Sequence, residues 1–132
     1  MTPLLVQLGV DARWNVIKGN EEFFQVTKKF HNALHGREEK ISPRDFSIFQ
    51  QTSEKNAQEL SLEGDIIFVH DPQPVTLVKR KKEIGKRWIW RCHIDVSKPN
   101  KEVWDFLLPY VVQYDAAVFS APAFSPQLPI RQ

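Results

Sequence analysis

The sequence predicts an α/β fold, a parallel sheet with helices on both faces. Three observations carry this. Short apolar runs at Asp65–Val69, Trp88–Cys92 and Ala116–Phe119 are separated by helical stripes rather than hairpin turns. The first of these, DIIFV, does not alternate, which is the pattern of a strand buried on both faces of a parallel sheet. Finally, two strands run into polar clusters and then prolines, at His70-Asp71-Pro72-Gln73-Pro74 and at His93-Ile94-Asp95 with Ser97 and Pro99. Open α/β sheets take their ligands at the carboxyl ends of the strands.

Each element has its own warrant. Thr2–Leu8 reads as the tail of a helix closed by Gly9 at the C′ position. Asp11–Ile17 reads as a strand, because Ala12, Trp14 and Val16 alternate with Asp11, Arg13 and Asn15. After a turn at Gly19, Asn20 caps a helix with Glu21 and Glu22 in its first turn and an apolar stripe of Phe23, Val26, Phe30 and Leu34, ended by Gly36. Ser42, with Pro43 at the first helical position and Asp45 in the capping-box place, starts a more exposed helix through Phe46, Phe49, Asn56 and Leu60. The strand Asp65–Val69 meets two prolines that forbid further pairing. A helix with Val75, Leu77 and Val78 follows, and its basic end, Lys79–Lys82, is read as solvated. Then come the central strand from Trp88, a helix over Pro99–Tyr110 and a last strand at Ala116–Phe119. Ala121–Gln132 carries three prolines and no period, and reads as a loop or linker.

The totals exclude several classes. A chain of 132 residues, 42% hydrophobic and 26% charged, suits one globular domain. A net charge of +2 gives no electrostatic footprint for nucleic acid, and no apolar run is long enough to span a bilayer. Cys92 is alone, so no internal disulfide forms, which fits a reducing compartment. A dinucleotide fingerprint, a P-loop and a nucleophile elbow are all missing.

The chemistry-bearing residues each allow two readings. His70 and Asp71 form a ligand-facing loop, or Asp71 caps the next helix. His93 and Asp95 share a side if the strand persists, so Asp95 can fix the tautomer of His93; otherwise His93 is a bonded strand-end histidine. Arg91 in an apolar strand needs a partner, and a structural ion pair is the preferred reading. His31 and His35 have helical metal-ligand spacing, but without the intervening glutamate a partly exposed helix face is preferred. Trp88 and Trp90, two apart on a central strand, belong to one packed face.

Together these motifs resemble a known family. His70-Asp71-Pro72-Gln73-Pro74 and Trp90-Arg91-Cys92-His93-Ile94-Asp95, with Ser97 and Pro99-Asn100, are similar to the trehalose synthase (trehalose glycosyltransferring synthase) group of retaining glycosyltransferase family four. Ala12-Arg13-Trp14, Val16-Ile17 with Gly19, and the helix from Phe23-Phe24 to Phe30-His31-Asn32-Ala33-Leu34 resemble the same group, so the likeness covers nearly the whole chain. The resemblance implies a GT-B enzyme of two Rossmann-like domains. Such enzymes bind a nucleotide-glucose mainly in the C-terminal domain and the acceptor mainly in the N-terminal one. They form trehalose reversibly, with retention, from a nucleoside-diphosphate glucose and glucose, and require no metal or other cofactor. It assigns His93 the catalytic role of donor-sugar contact. It makes His70, Asp71, Gln73, Arg91 and Asp95 substrate-binding, with Asp71 and Gln73 on the acceptor-side loop and Arg91 and Asp95 shaping the cleft.

By the same resemblance, a first strand and Gly-rich loop should precede Thr2, and a second domain should follow Gln132. The expectation is therefore a partial acceptor-side domain over residues 1–120 and a loop or linker over 121–132. The expected function is the N-terminal portion of a trehalose-forming glucosyltransferase, inactive alone. It would hold glucose or trehalose in a cleft, and nucleoside-diphosphate glucose only together with the C-terminal domain. Two alternatives stand beside it. One is a non-catalytic binding remnant or half of a split enzyme, dimeric or paired with a C-terminal polypeptide; the other is a trehalose phosphorylase. The expected location is the cytoplasm, with neither nucleic acid nor membrane as partner.

Overall fold

The computed structural model describes residues 2–132. Three parallel strands, β1 (Ile66–His70), β2 (Arg87–Cys92) and β3 (Ala116–Phe119), form a sheet in the order β1-β2-β3. The register sets Ile67 beside Trp88, Val69 beside Trp90 and His70 beside Arg91, with Trp90 beside Ala117 on the other flank. Parallel pairing needs long crossovers. Between β1 and β2 runs a 3₁₀ helix (Val75–Arg80) continued by a short α-helix, and between β2 and β3 a helix over Lys101–Val111.

Numbered in chain order, the α-helices are α1 (Thr2–Gln7), α2 (Glu21–Leu34), α3 (Pro43–Glu59), α4 (Lys81–Ile84) and α5 (Lys101–Val111). Their ends follow local chemistry. The Asn20 side chain accepts from the Phe23 N–H at α2. At α3 the Ser42 hydroxyl accepts from the Asp45 N–H while the Asp45 carboxylate accepts from the Ser42 N–H, a reciprocal capping box. Lys29 also reaches this carboxylate, at 3.2 Å. Burial acts to raise the Asp45 pKa, but the Ser42 bonds and the Lys29 ammonium together hold it below the ordinary aspartate value. Beyond α1, Gly9 at φ 85° lets its own N–H reach Val6 and the Val10 N–H reach Leu5, closing the last turn.

The core lies on one side of the sheet. Ile67, Val69, Trp88, Trp90, Cys92 and Ala117 point into it, against Phe23, Phe30 and Leu34 of α2, Phe49 of α3, Val75 and Val78 of the 3₁₀ helix, and Val103 and Leu107 of α5. The two tryptophans are fully buried, as their spacing predicts. The opposite face is open. Ile66 and Phe68 of β1 are 53% and 52% exposed, and Val118 of β3 is exposed beside them. This corrects the reading of β1 as a strand buried on both faces. Its burial alternates, because the described helices cover one face only.

Two other expectations change, and a third is narrowed. Asp11–Ile17 forms no strand; the segment has no regular hydrogen-bonded structure, and Trp14 and Val16 point to solvent. Alternation supplied the pattern, but no sheet edge pairs with it. Its end is tied down instead by Asn56, which accepts from the Lys18 N–H and donates to the Lys18 carbonyl, each at 2.7 Å. The basic run is solvated only in part: Lys79 and Lys82 are exposed, with Lys79 5.4 Å over the Tyr110 ring, while Arg80 donates to the Leu60 carbonyl and Lys81 to Asp115. The stretch over 121–132 is a loop anchored to the domain. Leu128 is buried in the core, and Arg131 makes a parallel bridge to Ala116.

Candidate functional site

The carboxyl ends of β1 and β2 bring the two polar motifs together. His70 closes β1, and Asp71 follows it in the left-handed region at φ 70°. Aspartate is among the few residues that visit this region, though at some cost. Three hydrogen bonds fix it there. The Asp71 N–H donates to the Arg91 carbonyl at 2.8 Å, the Trp90 indole N–H donates to the Asp71 carbonyl at 3.0 Å, and the Asp71 carboxylate accepts from the His93 N–H at 3.0 Å. Asp71 therefore binds one strand end to the next, and the following helix has no side-chain cap. This removes the helix-cap reading of Asp71, whose carboxylate instead ties the His93 backbone at the rim.

His93 faces His70. The Nδ1 of His70 lies 3.2 Å from the Nε2 of His93, and the ring centroids are 5.5 Å apart with planes 13° from parallel. The centroid separation is close to the nitrogen separation plus the two ring radii, so the rings meet edge to edge with one proton between them. Either ring can be the donor. Burial, then the neighbouring His93, lowers the His70 pKa, with Asp71 opposing. At neutral pH His70 is thus an uncharged imidazole, and the outer nitrogen of each ring remains free for a ligand.

Asp95 takes no part in this pair. β2 ends at Cys92, so the side-by-side arrangement of His93 with Asp95 is lost. Asp95 accepts from the hydroxyl and the N–H of Ser97, which lower its pKa. Arg91 makes no ion pair among the described residues; it donates to the Val118 and Cys92 carbonyls and to the Ser120 hydroxyl. The expected structural ion pair is therefore replaced by carbonyl and hydroxyl partners. Gln73 lines a separate small hollow with Ile17, Phe23, Ser53 and Asn56. Cys92 is buried, its thiol pushed up to about 12, which keeps it protonated and inert.

Two further groups reach the rim from distant sequence. Trp14 is 65% exposed, and its indole lies 5.5 Å from the His70 ring. The end of α2 is the other. Gly36, at φ 83°, lies so close to the Lys98 carbonyl that a Cβ there would sit 2.7 Å from it, and the Asn100 N–H donates to the Ala33 carbonyl. This docking carries the His31–His35 end of α2 toward the loop after β2. The charge of Asp71 is felt at His31 and that of His35 at Asp95. No sequence pattern marks Trp14 or His31 as rim residues, since their neighbours lie tens of positions away.

The arrangement offers two imidazoles, a carboxylate and a guanidinium on an open rim, a set suited to hydroxyl groups and developing charge. Among the described residues no group of three or more His, Cys, Asp or Glu is placed to hold a metal ion, and no helix is long and apolar enough to cross a membrane. A hollow of about 180 Å³ between α2 and α3 includes none of these rim residues.

Comparison with known proteins places the domain as a whole. The trehalose synthase of Rubrobacter xylanophilus is 42% identical over 131 residues, covering 96% of this chain and 32% of that protein. The trehalose synthase of Thermococcus litoralis is 44% identical over 121 residues, covering 90% and 29%. The chain thus spans about a third of the length of these relatives. Among solved structures, "OtsA apo structure" superposes with a TM-score of 0.65 at 20% identity, over 78% of this chain and 26% of the other. The structure "Trehalose-6-phosphate from E. coli bound with UDP-2-fluoro glucose" gives 0.63 at 20% identity, over 80% and 28%. These neighbours show the fold, that of GT-B trehalose-phosphate synthases. The family model described as "Trehalose synthase, N-terminal domain" matches residues 1–126, and the chain belongs to that family of glycosyltransferase domains.

Proposed function

We propose that this chain supplies the acceptor-side portion of a glucosyltransferase that forms trehalose reversibly, with retention, from a nucleoside-diphosphate glucose and glucose. The observation that carries the reading is the His70–His93 pair with Asp71, held at the carboxyl edge of the sheet by the very motifs that mark the family. The outer nitrogens of the two imidazoles and the unbonded carboxylate oxygen of Asp71 are suited to holding sugar hydroxyls in one orientation. Arg91, which makes no ion pair among the described residues, would shape the cleft beside this pair. In this reading the donor's nucleotide is bound by the C-terminal domain of the whole enzyme, so the chain alone is inactive.

The test is trehalose synthesis from nucleoside-diphosphate glucose plus glucose, with the chain alone and with a family C-terminal domain added in trans. Activity is expected only on addition, and His93→Ala should lower it by about 100-fold. Enzyme-like turnover by the chain alone would overturn the reading. A folded chain that stays inactive in both arrangements points to a binding module instead, and turnover that requires phosphate points to a phosphorylase.

A further inference from the structure

We propose that His70 and His93 form a two-histidine chelate for a borderline divalent transition ion such as Zn²⁺, Ni²⁺ or Cu²⁺. The inference stands on the geometry of this chain and does not depend on the proposed function.

Two ring nitrogens, Nδ1 of His70 and Nε2 of His93, face each other across 3.2 Å. Imidazole binds Zn²⁺ at about 2.0–2.1 Å, so two nitrogens at this separation subtend roughly a tetrahedral angle at a shared ion placed beside the line joining them. The backbones already have the right spacing. β1 and β2 are paired up to His70 and Arg91, and the Asp71 carboxylate holds the His93 N–H. The two lone pairs now aimed at each other must each turn by roughly 40° to meet a shared ion at that bond length. Each ring swings about its side-chain bond so that the two lone pairs converge on the ion rather than on each other. His93 is exposed and His70 half-buried, so neither ring is locked by packing on all sides.

The proton balance is simple. In the free protein one N–H lies between the rings. With the ion bound, both facing nitrogens are ligands, and the displaced proton moves to the outer nitrogen of the same ring. His70 then carries its proton on Nε2 and His93 on Nδ1, both rings neutral, as imidazole ligands to these metals are. No other group of the described residues completes a set of three, so water fills the remaining positions. Such an ion sits on the nitrogen nearest any ligand held between the two strand ends.

The rival within the molecule is His31–His35, whose rings are 4.9 Å apart at helical i,i+4 spacing. That pair ends at the helix cap, His35, where the side chain is exposed. The two pairs are distinguishable by mutation.

The experiment is a calorimetric titration of the chain with Zn²⁺ and, separately, with Ni²⁺, followed also by tryptophan fluorescence. Trp14 lies 5.5 Å from His70, so open-shell Ni²⁺ should quench it, and Trp14→Phe should remove that part of the signal. Affinity is expected to fall tenfold or more in His70→Ala and in His93→Ala, and to be unchanged within twofold in the double variant His31→Ala with His35→Ala. Should His70→Ala fail to fold, His93→Gln, at an exposed position that keeps a side-chain amide for His70, decides the question. Affinity unchanged in the His93 variants, or lost only in the His31/His35 variant, would overturn the proposal.

Discussion

The two faces of the three-stranded sheet share one backbone, yet they differ in burial and in the residues they carry. One face presents Ile67, Val69, Trp88, Trp90 and Cys92 to four packed helical elements. The other presents Ile66, Phe68 and Val118 largely to solvent, with Arg91 half-buried among them. Side chains alternate with a period of two, so a single register choice assigns each residue to the stabilising layer or to the open one. The covered face holds the domain together. The open face carries few stabilising contacts, but its last residues, His70 and Arg91, paired across the strands, begin the rim on which the histidine pair is built.

The sharpest way to break this contrast is to remove a covered tryptophan. Trp90→Ala deletes a fully buried ring and the indole donor to the Asp71 carbonyl, so it should destabilise the chain by about 3–5 kcal/mol, read from the denaturation midpoint. It should also loosen Asp71, seen as a shift of the His93 ring resonances.

A smaller effect belongs to the helical layer on the same covered side. Asp45→Ala removes the carboxylate half of the capping box and the Lys29 partner, while the Ser42 hydroxyl still accepts from the N–H of residue 45; the loss is about 1 kcal/mol near neutral pH. The pH dependence has a definite sign. The folded pKa of Asp45 is depressed below 3.8, so its contribution is present above that value and is lost as pH falls through the lower folded value. Asp115, held down by Lys81, acts in the same direction. Acid titration of stability should therefore be steeper in the native chain than in Asp45→Ala.

The smallest effect is expected on the open face. Phe68→Ser exchanges a half-exposed ring for a hydroxyl and should change stability by no more than about 0.5 kcal/mol. A loss as large as that of Trp90→Ala would mean that the second face is covered in solution, and would remove the contrast.

Where local chemistry decides the outcome, the sequence was sufficient. The caps at Asn20 and Ser42, the glycine stop at Gly9, the three strands and the packed tryptophans follow from neighbours within a few positions, because hydrogen-bond geometry and side-chain period act over that range. The two polar motifs and their family likeness were equally legible, since both are contiguous stretches. The Asp11–Ile17 segment shows the limit. It alternates like a strand, but a strand exists only where another edge accepts its hydrogen bonds, and none does here. The same limit applies to Asp95, whose relation to His93 depended on the strand continuing beyond Cys92.

Tertiary structure alone decided who meets whom. His70 and His93 are separated by 23 positions, Trp14 and His70 by more than twice that, and the α2 end reaches the rim because Gly36 lets the chain approach the Lys98 carbonyl. The sequence determined the elements, the caps and the family of this domain through short-range periodicity and contiguous motifs. Register, the choice of covered face and the pairing of two histidines into one site required the chain to fold back on itself, because the parallel pairing of β1 with β2 is what sets His70 beside Arg91 and so brings His93 within reach.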